Sequence, residues 1–381
     1  MTELVVREMP ESETWSRIQG VSRDFGVTRV ADITGLDWIG VPVATAFRPN
    51  AATLSVSQGK GNSVEAAKVG AVMESLELAH AERVPKTGDR LAAARELRLG
   101  YAVDTLNLAP GSFLSERVAI PWTRSFAMQT GCEQWLPTDL VRVSFAMPER
   151  VEDASVPLFW GSSNGLAAGS TTSEAAIHAL LEVIERDALT RSGADSKPLA
   201  LTDIAGCGSA TVDLVAGNAE VITEIEALPN RFGLPCFRAR MWSEDFPLVA
   251  VGSGAALSRV VAAERAVNEA AQTRLTQIAG VRDDIDERRF VSAPQSAVPQ
   301  RRDIEYSLEP EWVELPGGGS ADFTLEWLVS HVVATTGQEP LLARLSSSAD
   351  FSVVRVVLPT AQFDLSHSFS GLNAMPAAAE R

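Results

Sequence analysis

The chain has 381 residues, of which 45% are hydrophobic and 22% are charged, and its formal net charge is −16 at pH 7. This composition is typical of a globular protein and excludes a disordered or fibrous one. The acidic balance also argues against a general nucleic-acid binder, which presents a basic face. A phosphate-bearing ligand stays compatible with it, because a bound metal ion can reverse the local sign of the charge.

Cysteine usage and the amino terminus indicate a cytoplasmic protein. Cys132, Cys207 and Cys236 are widely spaced and contain no CxxC pair, which argues against a zinc site or a disulfide framework. The first residues, MTELVVREMPESETW, are acidic where a signal peptide would be basic and then apolar. No apolar run approaches the length of a membrane-spanning helix. We therefore expect no membrane partner and no nucleic-acid partner.

The first half of the chain is predicted to alternate strands, Gly-rich loops and helices. Residues 28–56 hold short Val- and Ile-rich runs broken by Gly, Asp and Pro, which predicts strands and turns. The polar loop QGKGNS follows, and then a helix that Ser63 caps. Residues 90–158 are mixed, with VAIPW and VPLFW as candidate strands.

A second Gly-rich loop, SSNGLAAGST, precedes the next helix, whose start near Thr171 or Thr172 is predicted by the capping-box spacing of Thr171 and Glu174. Residues 212–228 are predicted to form a helix, LPCFRARMW and PLVAVGSGAAL two strands, and SRVVAAERAVNEAAQTRLTQIAG a long helix. Residues 282–325 are rich in loop formers and are a candidate mobile segment or lid, although a plain surface connection is the commoner case. A helix over 323–336 and a strand near 352–358 complete the predicted elements.

Two of these helices carry carboxylates among apolar residues. In SEAAIHALLEVIERDA, steps of four, four and three residues keep four polar side chains within about 80° of arc: Glu174, His178, Glu182 and Glu185. Glu74 and Glu77 repeat the Glu-x-x-Glu spacing in MESLE. A solvent-facing stripe is one interpretation, but the flanking residues are Ala, Ile and Leu. Buried carboxylates each cost several kcal/mol unless they are paired or bind a cation, which favours a site for a hard cation such as Mg²⁺, with Arg186 supplying part of the positive charge.

Other polar residues could complete such a site. The GKG loop offers backbone N–H groups and Lys60 to a phosphate, but it lacks the GxxxxGK[ST] pattern and is weak evidence alone. In the helix that contains NEAAQTR, Arg265 and Glu269 would form only a modest surface ion pair. Arg274 could bind a phosphate through two hydrogen bonds, and Gln272 could orient a ligand.

The motifs SQGKG…MESLE, SNGLAAG…HALLEVIERDA and NEAAQTRL together resemble the three signature regions of the YcaO superfamily, over about residues 28–285. The resemblance implies an α/β (α+β mixed) fold with mixed sheets flanked by helices, and an ATP and Mg²⁺ site between acidic helices. It divides the chain into an N-terminal extension, residues 1–27, and a YcaO domain, residues 28–381. Within that domain the core motifs span 28–285, a loop-rich segment spans 282–325, and a C-terminal part spans 326–381.

The resemblance also assigns roles by motif position. The predicted Mg²⁺ ligands are Glu74, Glu77, Glu182 and Glu185. The predicted nucleotide contacts are Lys60, Asn164, Arg186, Glu269, Gln272, Arg274 and Arg29. His80 and His178 are candidate general bases for the incoming nucleophile, although a helical histidine beside carboxylates is more often a structural hydrogen-bond partner.

The activity that the resemblance implies is modification of a backbone amide in a ribosomally made precursor peptide (RiPP biosynthesis). In the family a nucleophile adds to the amide carbonyl, ATP phosphorylates the resulting oxyanion, and loss of phosphate leaves an azoline, an amidine or a thioamide. Azoline-forming members often end in a proline-rich tail, whereas this chain ends in MPAAAER. The stretches TRVADITGLDWIGVPV and EAAQTRLTQIAGVRDD look most like standalone members that act with a TfuA-type partner, for which thioamide formation is implied.

We therefore expect a thioamide-forming enzyme. A cyclodehydratase that forms a thiazoline, an oxazoline or a macroamidine of the bottromycin type remains an alternative. A non-catalytic scaffold that binds nucleotide or peptide is the alternative of another class. The expected partners are the precursor peptide, a TfuA-like or leader-binding protein, since no fused leader-binding domain precedes the motifs, and a second copy of the chain in a homodimer.

Overall fold

The computed structural model of the protein describes residues 7–144, 158–159, 161–192, 195–206, 208–246, 248–280, 310–313, 315 and 319–363. Several of the sequence predictions fall wholly or partly outside these residues, among them the VPLFW strand, the loop-rich segment 282–325, Cys207 and the MPAAAER tail. Cys132 and Cys236 are free thiols. None of the helices in the described part of the chain has both the length and the apolar character that crossing a bilayer requires.

The described helices, in chain order, are α1 (Glu11–Asp24), α2 (Val64–Arg83), α3 (Thr138–Val141), α4 (Thr172–Ser192), α5 (Ala210–Ala216), α6 (Arg259–Ala279) and α7 (Ala321–Thr336). The described strands are β1 (Arg29–Asp32), β2 (Val43–Phe47), β3 (Val56–Lys60), β4 (Arg90–Ala93), β5 (Ala119–Ala127), β6 (Glu133–Pro137), β7 (Leu166–Gly169), β8 (Lys197–Leu199), β9 (Val221–Ala227), β10 (Cys236–Ser243), β11 (Ala250–Ala255), β12 (Leu341–Ser347) and β13 (Ser352–Val357).

These strands form three sheets, and every pairing between them is antiparallel. The three-stranded sheet has the order β1-β2-β3, and the four-stranded sheet has the order β11-β10-β9-β8. The six-stranded sheet has the order β4-β5-β12-β13-β7, with β6 paired to β5. The predicted mixed α/β fold is confirmed, and β3, β7 and β11 each lie at the edge of a sheet.

One long helix lies on each sheet. Helix α2 packs on β2 and β3, α4 packs on β7 and β13, and α6 packs on β10 and β11, while α1 covers α2 and α7 covers α4. The apolar positions of α4 explain why it is buried nearly all round: Ile177, Leu180 and Ile184 are fully buried in one core with Val354 and Val356 of β13. This core holds the acidic helix against the six-stranded sheet.

The predicted helix starts are confirmed. The Ser63 hydroxyl accepts a hydrogen bond from the Ala66 N–H at 3.0 Å at the start of α2. The Thr171 hydroxyl accepts one from the Glu174 N–H at 3.2 Å at the start of α4. Each side chain satisfies a backbone donor that the first turn of a helix leaves without a partner. At the C-terminal end of α6, Gly280 adopts the left-handed conformation that terminates many helices.

The helix predicted over residues 212–228 is wrong in its second half. Helix α5 ends at Ala216, and Val221–Ala227 is a strand, β9, paired with β8 and β10. The side chain of Asn218 accepts hydrogen bonds from the N–H groups of Glu220 and Val221, which fixes a turn between the two elements. Pairing with two neighbouring strands outweighs the local pattern, as tertiary contacts commonly do for β-structure.

Candidate functional site

Three glycines allow a helix to lie directly on the edge strand of each sheet. A Cβ atom on Gly59 of β3 would come within 2.0 Å of the backbone of α2. A Cβ atom on Gly169 of β7 would come within 2.6 Å of the backbone of α4, and one on Gly252 of β11 within 2.2 Å of the backbone of α6. Only glycine fits at such distances. The polar side chains of the three helices are thereby held close to the edges of the sheets.

Three side-chain contacts link the sheets in a cycle. Glu77 of α2 accepts a hydrogen bond at 2.7 Å from a backbone N–H of β7, and Glu185 of α4 accepts one at 3.0 Å from a backbone N–H of β11. Glu269 of α6 forms an ion pair at 3.1 Å with Lys60 of β3. Since each of these helices lies on a different sheet, each contact joins one helix–sheet pair to the next. The edges of all three sheets therefore meet around one polar centre.

Two more glutamates bind backbone N–H groups at this centre. Glu74 accepts a hydrogen bond from the Gln58 N–H of β3 at 2.6 Å, and Glu182 accepts one from the Gly165 N–H at 3.1 Å. Gly165 has a φ of +76°, and a Cβ atom there would lie 2.2 Å from the Val356 carbonyl oxygen. The SNG turn can present this N–H to Glu182 only because residue 165 is glycine.

The carboxylates of the centre raise one another's pKa. Burial raises the pKa of Glu182 to about 7, and the charge of Glu185 adds to the effect. Burial also raises the pKa of Glu77 well above its usual range, with contributions from Glu74 and Glu182. The pKa of Glu185 is raised by burial and by the charge of Glu269. Carboxylates whose pKa values are raised in this way are stabilised when a cation binds, because the cation allows them to ionise together.

Two positively charged side chains, Arg186 and Lys60, lie among these carboxylates. Burial alone would lower the pKa of Arg186, but three neighbouring carboxylates outweigh it and raise that pKa: Glu185, Glu269 and Glu182. The Nε atom of Arg186 lies 3.9 Å from the Glu182 carboxylate. Burial would raise the pKa of Glu269, but Lys60 and Arg186 outweigh it and lower that pKa. Arg186 is therefore firmly protonated at the middle of the cluster.

This donor set fits Mg²⁺, a hard cation that takes oxygen ligands and is commonly held by one or two carboxylates together with phosphate oxygens. The carboxylates now accept hydrogen bonds from strand N–H groups. In the described part of the chain, no group of three acidic, histidine or cysteine side chains is already arranged to hold a metal ion. Each carboxylate has two oxygens, so it can accept a backbone N–H and still offer an oxygen to a cation.

His80 is partly buried and packs against aromatic side chains of the core. Its Nδ1 atom is 2.7 Å from the Leu76 carbonyl oxygen, so Nδ1–H donates and the carbonyl accepts. The ring lies 4.6 Å from the ring of Phe25 and 5.5 Å from that of Phe351, centre to centre. Burial lowers the pKa of His80 and favours the neutral ring. These are the contacts of a structural residue, and the role of general base stays a prediction.

His178 connects α4 to α6. The guanidinium of Arg265 lies 3.3 Å from His178 Nδ1, which must accept, so the ring proton is on Nε2, 4.0 Å from the Glu174 carboxylate. Burial, together with the charge of Arg265, lowers the pKa of His178 to about 3. Glu174 itself accepts a hydrogen bond from the Ser170 N–H at 3.2 Å and caps the helix. A general-base role for His178 stays a prediction that requires Arg265 to move.

The remaining predicted nucleotide contacts are spread more widely. Gln272 lies beside β3, with its amide nitrogen 3.5 Å from the Gln58 side-chain oxygen. Arg274 is 1% exposed and forms a salt bridge of 2.8 Å with Asp37. Arg29 lies on the edge strand β1 and is exposed. A phosphate contact from Arg274 would therefore require its salt bridge to open.

Two arginines that the sequence does not single out as site residues lie beside the glutamates: Arg265, which is partly buried, and Arg355, which is buried. Arg265 donates to the Ala255 carbonyl oxygen at 3.0 Å, where β11 ends, instead of forming a surface ion pair. Arg355 of β13 is 3% exposed, and one of its terminal nitrogens donates to the Ser162 carbonyl oxygen at 2.7 Å. The run SVVRVV carries the available signal, because a single arginine in an apolar strand is buried only where a polar partner or ligand compensates it.

The comparisons with known proteins agree with one another. A family model described as YcaO cyclodehydratase, ATP- and Mg²⁺-binding, matches residues 58–362. An uncharacterized protein from Mycobacterium tuberculosis (strain H37Rv) is 37% identical over 278 residues, which are 72% of this chain and 62% of that protein. The chain thus spans less than two thirds of that relative.

A second relative aligns over nearly its whole length. It is described as an uncharacterized protein in the tfuA 3′ region of Rhizobium leguminosarum bv. trifolii, and it is 32% identical over 391 residues, 95% of this chain and 90% of that protein. Among solved structures, YcaO from Methanopyrus kandleri bound with AMPPCP and Mg²⁺ superposes with a TM-score of 0.68, covering 97% of this chain and 96% of that one. At 22% identity this likeness shows a shared fold.

Proposed function

Because the chain belongs to the YcaO family, whose cofactors are ATP and Mg²⁺, we propose that it uses them to activate a backbone amide of a peptide substrate. The observation that carries the proposal is the polar centre at which three sheet edges meet. It holds the four glutamates predicted as metal ligands, Glu74, Glu77, Glu182 and Glu185, and two of them, Glu182 and Glu185, act directly on the protonated Arg186.

The residues of the centre divide by their chemistry. The four glutamates would hold Mg²⁺, while Lys60 and Arg186 would bind phosphate oxygens, with Glu269 orienting Lys60 through their ion pair. When bound, ATP supplies the phosphoryl group that turns an amide oxygen into a good leaving group, and Mg²⁺ balances the charge. The strand N–H groups keep the carboxylates in place before and after the ligands bind.

For the product, we propose a thioamide formed together with a TfuA-like protein. The support is the relative in the tfuA 3′ region, which aligns over 95% of this chain. Cyclodehydration to an azoline or a macroamidine is the alternative, and the description of the matched family as a cyclodehydratase favours it. A non-catalytic scaffold is a weaker rival, because the complete set of carboxylates and cations argues for a working site. The precursor peptide, a leader-binding protein and a homodimer are proposed partners.

One assay separates these readings. The protein is incubated with ATP, Mg²⁺, sulfide and the precursor peptide encoded beside its gene, with and without the neighbouring TfuA-like protein, and peptide mass and released phosphate are followed. Replacement of one oxygen by sulfur supports the thioamide. Loss of one water supports cyclodehydration. Unchanged peptide mass together with no ATP turnover would favour the scaffold and overturn the proposed activity.

A further inference from the structure

A small cavity of about 40 Å³ lies beside the polar centre, on the side of α4 that faces β13. Its polar lining comes from Asn107, Ser162, Asn164 and Arg355, and its apolar lining includes Val183, which follows Glu182, and Phe363. By the same measure a single water needs roughly 10–15 Å³, so the cavity has room for a small polar group.

Two of the residues that line this cavity have polar atoms without a hydrogen-bond partner among the described residues. The Nε atom and one terminal nitrogen of Arg355 are buried without a hydrogen-bond partner among the described residues, and so is the side-chain oxygen of Asn164. A buried donor or acceptor without a partner costs about 1–3 kcal/mol. Among the described residues, a guanidinium that is 3% exposed thus keeps two donor nitrogens available to a ligand group.

The cavity wall is already built. Asn107 donates a hydrogen bond to the Ala361 carbonyl oxygen at 3.1 Å and accepts one from the Phe363 N–H at 3.3 Å. These bonds hold Ala361 and Phe363, which line the cavity together with Arg355. The unused donors and the unused acceptor are thus presented by a fixed frame, which lowers the ordering cost of binding.

The charges around the cavity favour a neutral ligand over an anion. Arg355 already feels the negative charge of Glu182, which partly offsets the effect of burial on the pKa of Arg355, lowered to about 10. The unused oxygen of Asn164 would repel a carboxylate or a phosphate. A secondary amide matches both sides, because its carbonyl oxygen accepts from a guanidinium and its N–H donates to an amide oxygen.

We propose that this cavity binds the peptide amide that the enzyme modifies, with Arg355 donating to the carbonyl oxygen and Asn164 accepting the N–H. The inference rests on the proposed function and adds the position of the substrate to it. Arg355 polarises the carbonyl and stabilises negative charge on its oxygen when a nucleophile adds to the carbon. Asn164, which its motif groups with the nucleotide contacts, is assigned to the peptide instead.

The test uses N-acetylglycine N-methylamide, a minimal peptide, whose binding to the full chain is measured by ligand-observed NMR. Arg355→Met should weaken its binding about tenfold or more, the usual effect of losing hydrogen bonds to a charged donor. Asn164→Leu should cause a smaller loss. Arg344→Met is the matched control: Arg344 lies on the neighbouring strand β12 and is exposed, so binding should not change. Thermal melting confirms that each variant is folded.

Binding of AMPPCP with Mg²⁺ is measured on the same variants. Unchanged AMPPCP binding to Arg355→Met supports a peptide site that is separate from the phosphate site. Loss of AMPPCP binding in that variant, or failure of the diamide to bind the wild-type protein, would overturn the inference. These readouts need no turnover, so the amide site can fail while ATP-dependent modification is observed, and the reverse can also be seen.

Discussion

The sharpest test of the metal assignment is Glu182→Gln. The substitution keeps the shape of the side chain and an oxygen that can accept the Gly165 N–H, but it removes the charge. Two effects should follow in opposite directions. The metal-free protein should become more stable at alkaline pH, while Mg²⁺-dependent ATP turnover should be lost.

The expected gain in stability follows from the pKa of Glu182. Burial raises this pKa from 4.5 to about 7, so the folded protein holds a proton that the unfolded chain has already released. The proton on Glu182 therefore contributes favourably to the free energy of unfolding; this contribution is fully present below the unfolded pKa of 4.5 and is lost as pH rises through 7. At about 1.4 kcal/mol per pKa unit, ionising Glu182 costs the metal-free fold about 3 kcal/mol at pH 8 and less than about 1 kcal/mol at pH 5. The neutral glutamine avoids this cost.

The measurement is urea unfolding at pH 5 and pH 8 without metal, followed by a repeat with Mg²⁺ and AMPPCP. At pH 8 the free energy of unfolding of Glu182→Gln should exceed that of the wild type by about 3 kcal/mol. Mg²⁺ and AMPPCP should raise the free energy of unfolding of the wild type but should change that of Glu182→Gln little. Glu65→Gln, at an exposed position of α2, should behave as the wild type throughout. Equal stabilisation of Glu182→Gln by Mg²⁺ and AMPPCP, or full ATP turnover, would refute the metal assignment.

Three further changes test other parts of the structure. His178, whose folded pKa of about 3 lies below its unfolded value of 6.5, costs stability as pH falls below 6.5. The free energy of unfolding of His178→Gln in urea should therefore gain about 2 kcal/mol on that of the wild type between pH 8 and pH 5, and parallel curves would contradict a neutral ring in the folded protein. Gly252→Ala would place a Cβ atom 2.2 Å from the Ala270 nitrogen and should cost about 3 kcal/mol or more, while Gly35→Ala, with open space around it, should change the melting temperature little. Asp187, fully buried, accepts from two arginines and from the N–H of residue 362, so Asp187→Asn should cost about 1–3 kcal/mol and speed hydrogen exchange in residues 359–363. Unchanged exchange would show that this bridge does not hold the segment.

Much of the fold follows from local sequence signals. The caps at Ser63 and Thr171 predict where the two acidic helices begin, because each places a side-chain oxygen opposite unpaired N–H groups. The long helix α6 and the strands β10, β11 and β13 also follow from the periodicity of their apolar residues. The failure over residues 212–228 has the opposite origin, since β9 owes its conformation to strands β8 and β10, which local pattern does not reveal.

The site is predictable in its residue types but not in its geometry. Carboxylates threaded through apolar helices indicate a buried acidic centre, and Glu182 and Glu185 lie in one. The partner of Arg274 could not be predicted from the sequence. Arg274 forms a salt bridge with Asp37, which lies far from it along the chain. The partner of Arg355 is equally hidden, since β13 meets the turn before β7 only in the folded protein.

The meeting of three sheet edges explains why acidic residues can be stable where the apolar pattern would exclude them. An edge strand exposes backbone N–H groups that would otherwise need water or another chain. Glu74, Glu77 and Glu185 each take one such N–H, so the same carboxylates close the sheet edges and form the polar centre. Each carboxylate accepts several hydrogen bonds or metal contacts through its two oxygens, so a cation can be added without leaving the strand N–H unpaired. Replacing Glu77 by an apolar residue should therefore damage both the fold and the site. Glutamine should keep the hydrogen bond to the edge of β7 and impair only cation binding.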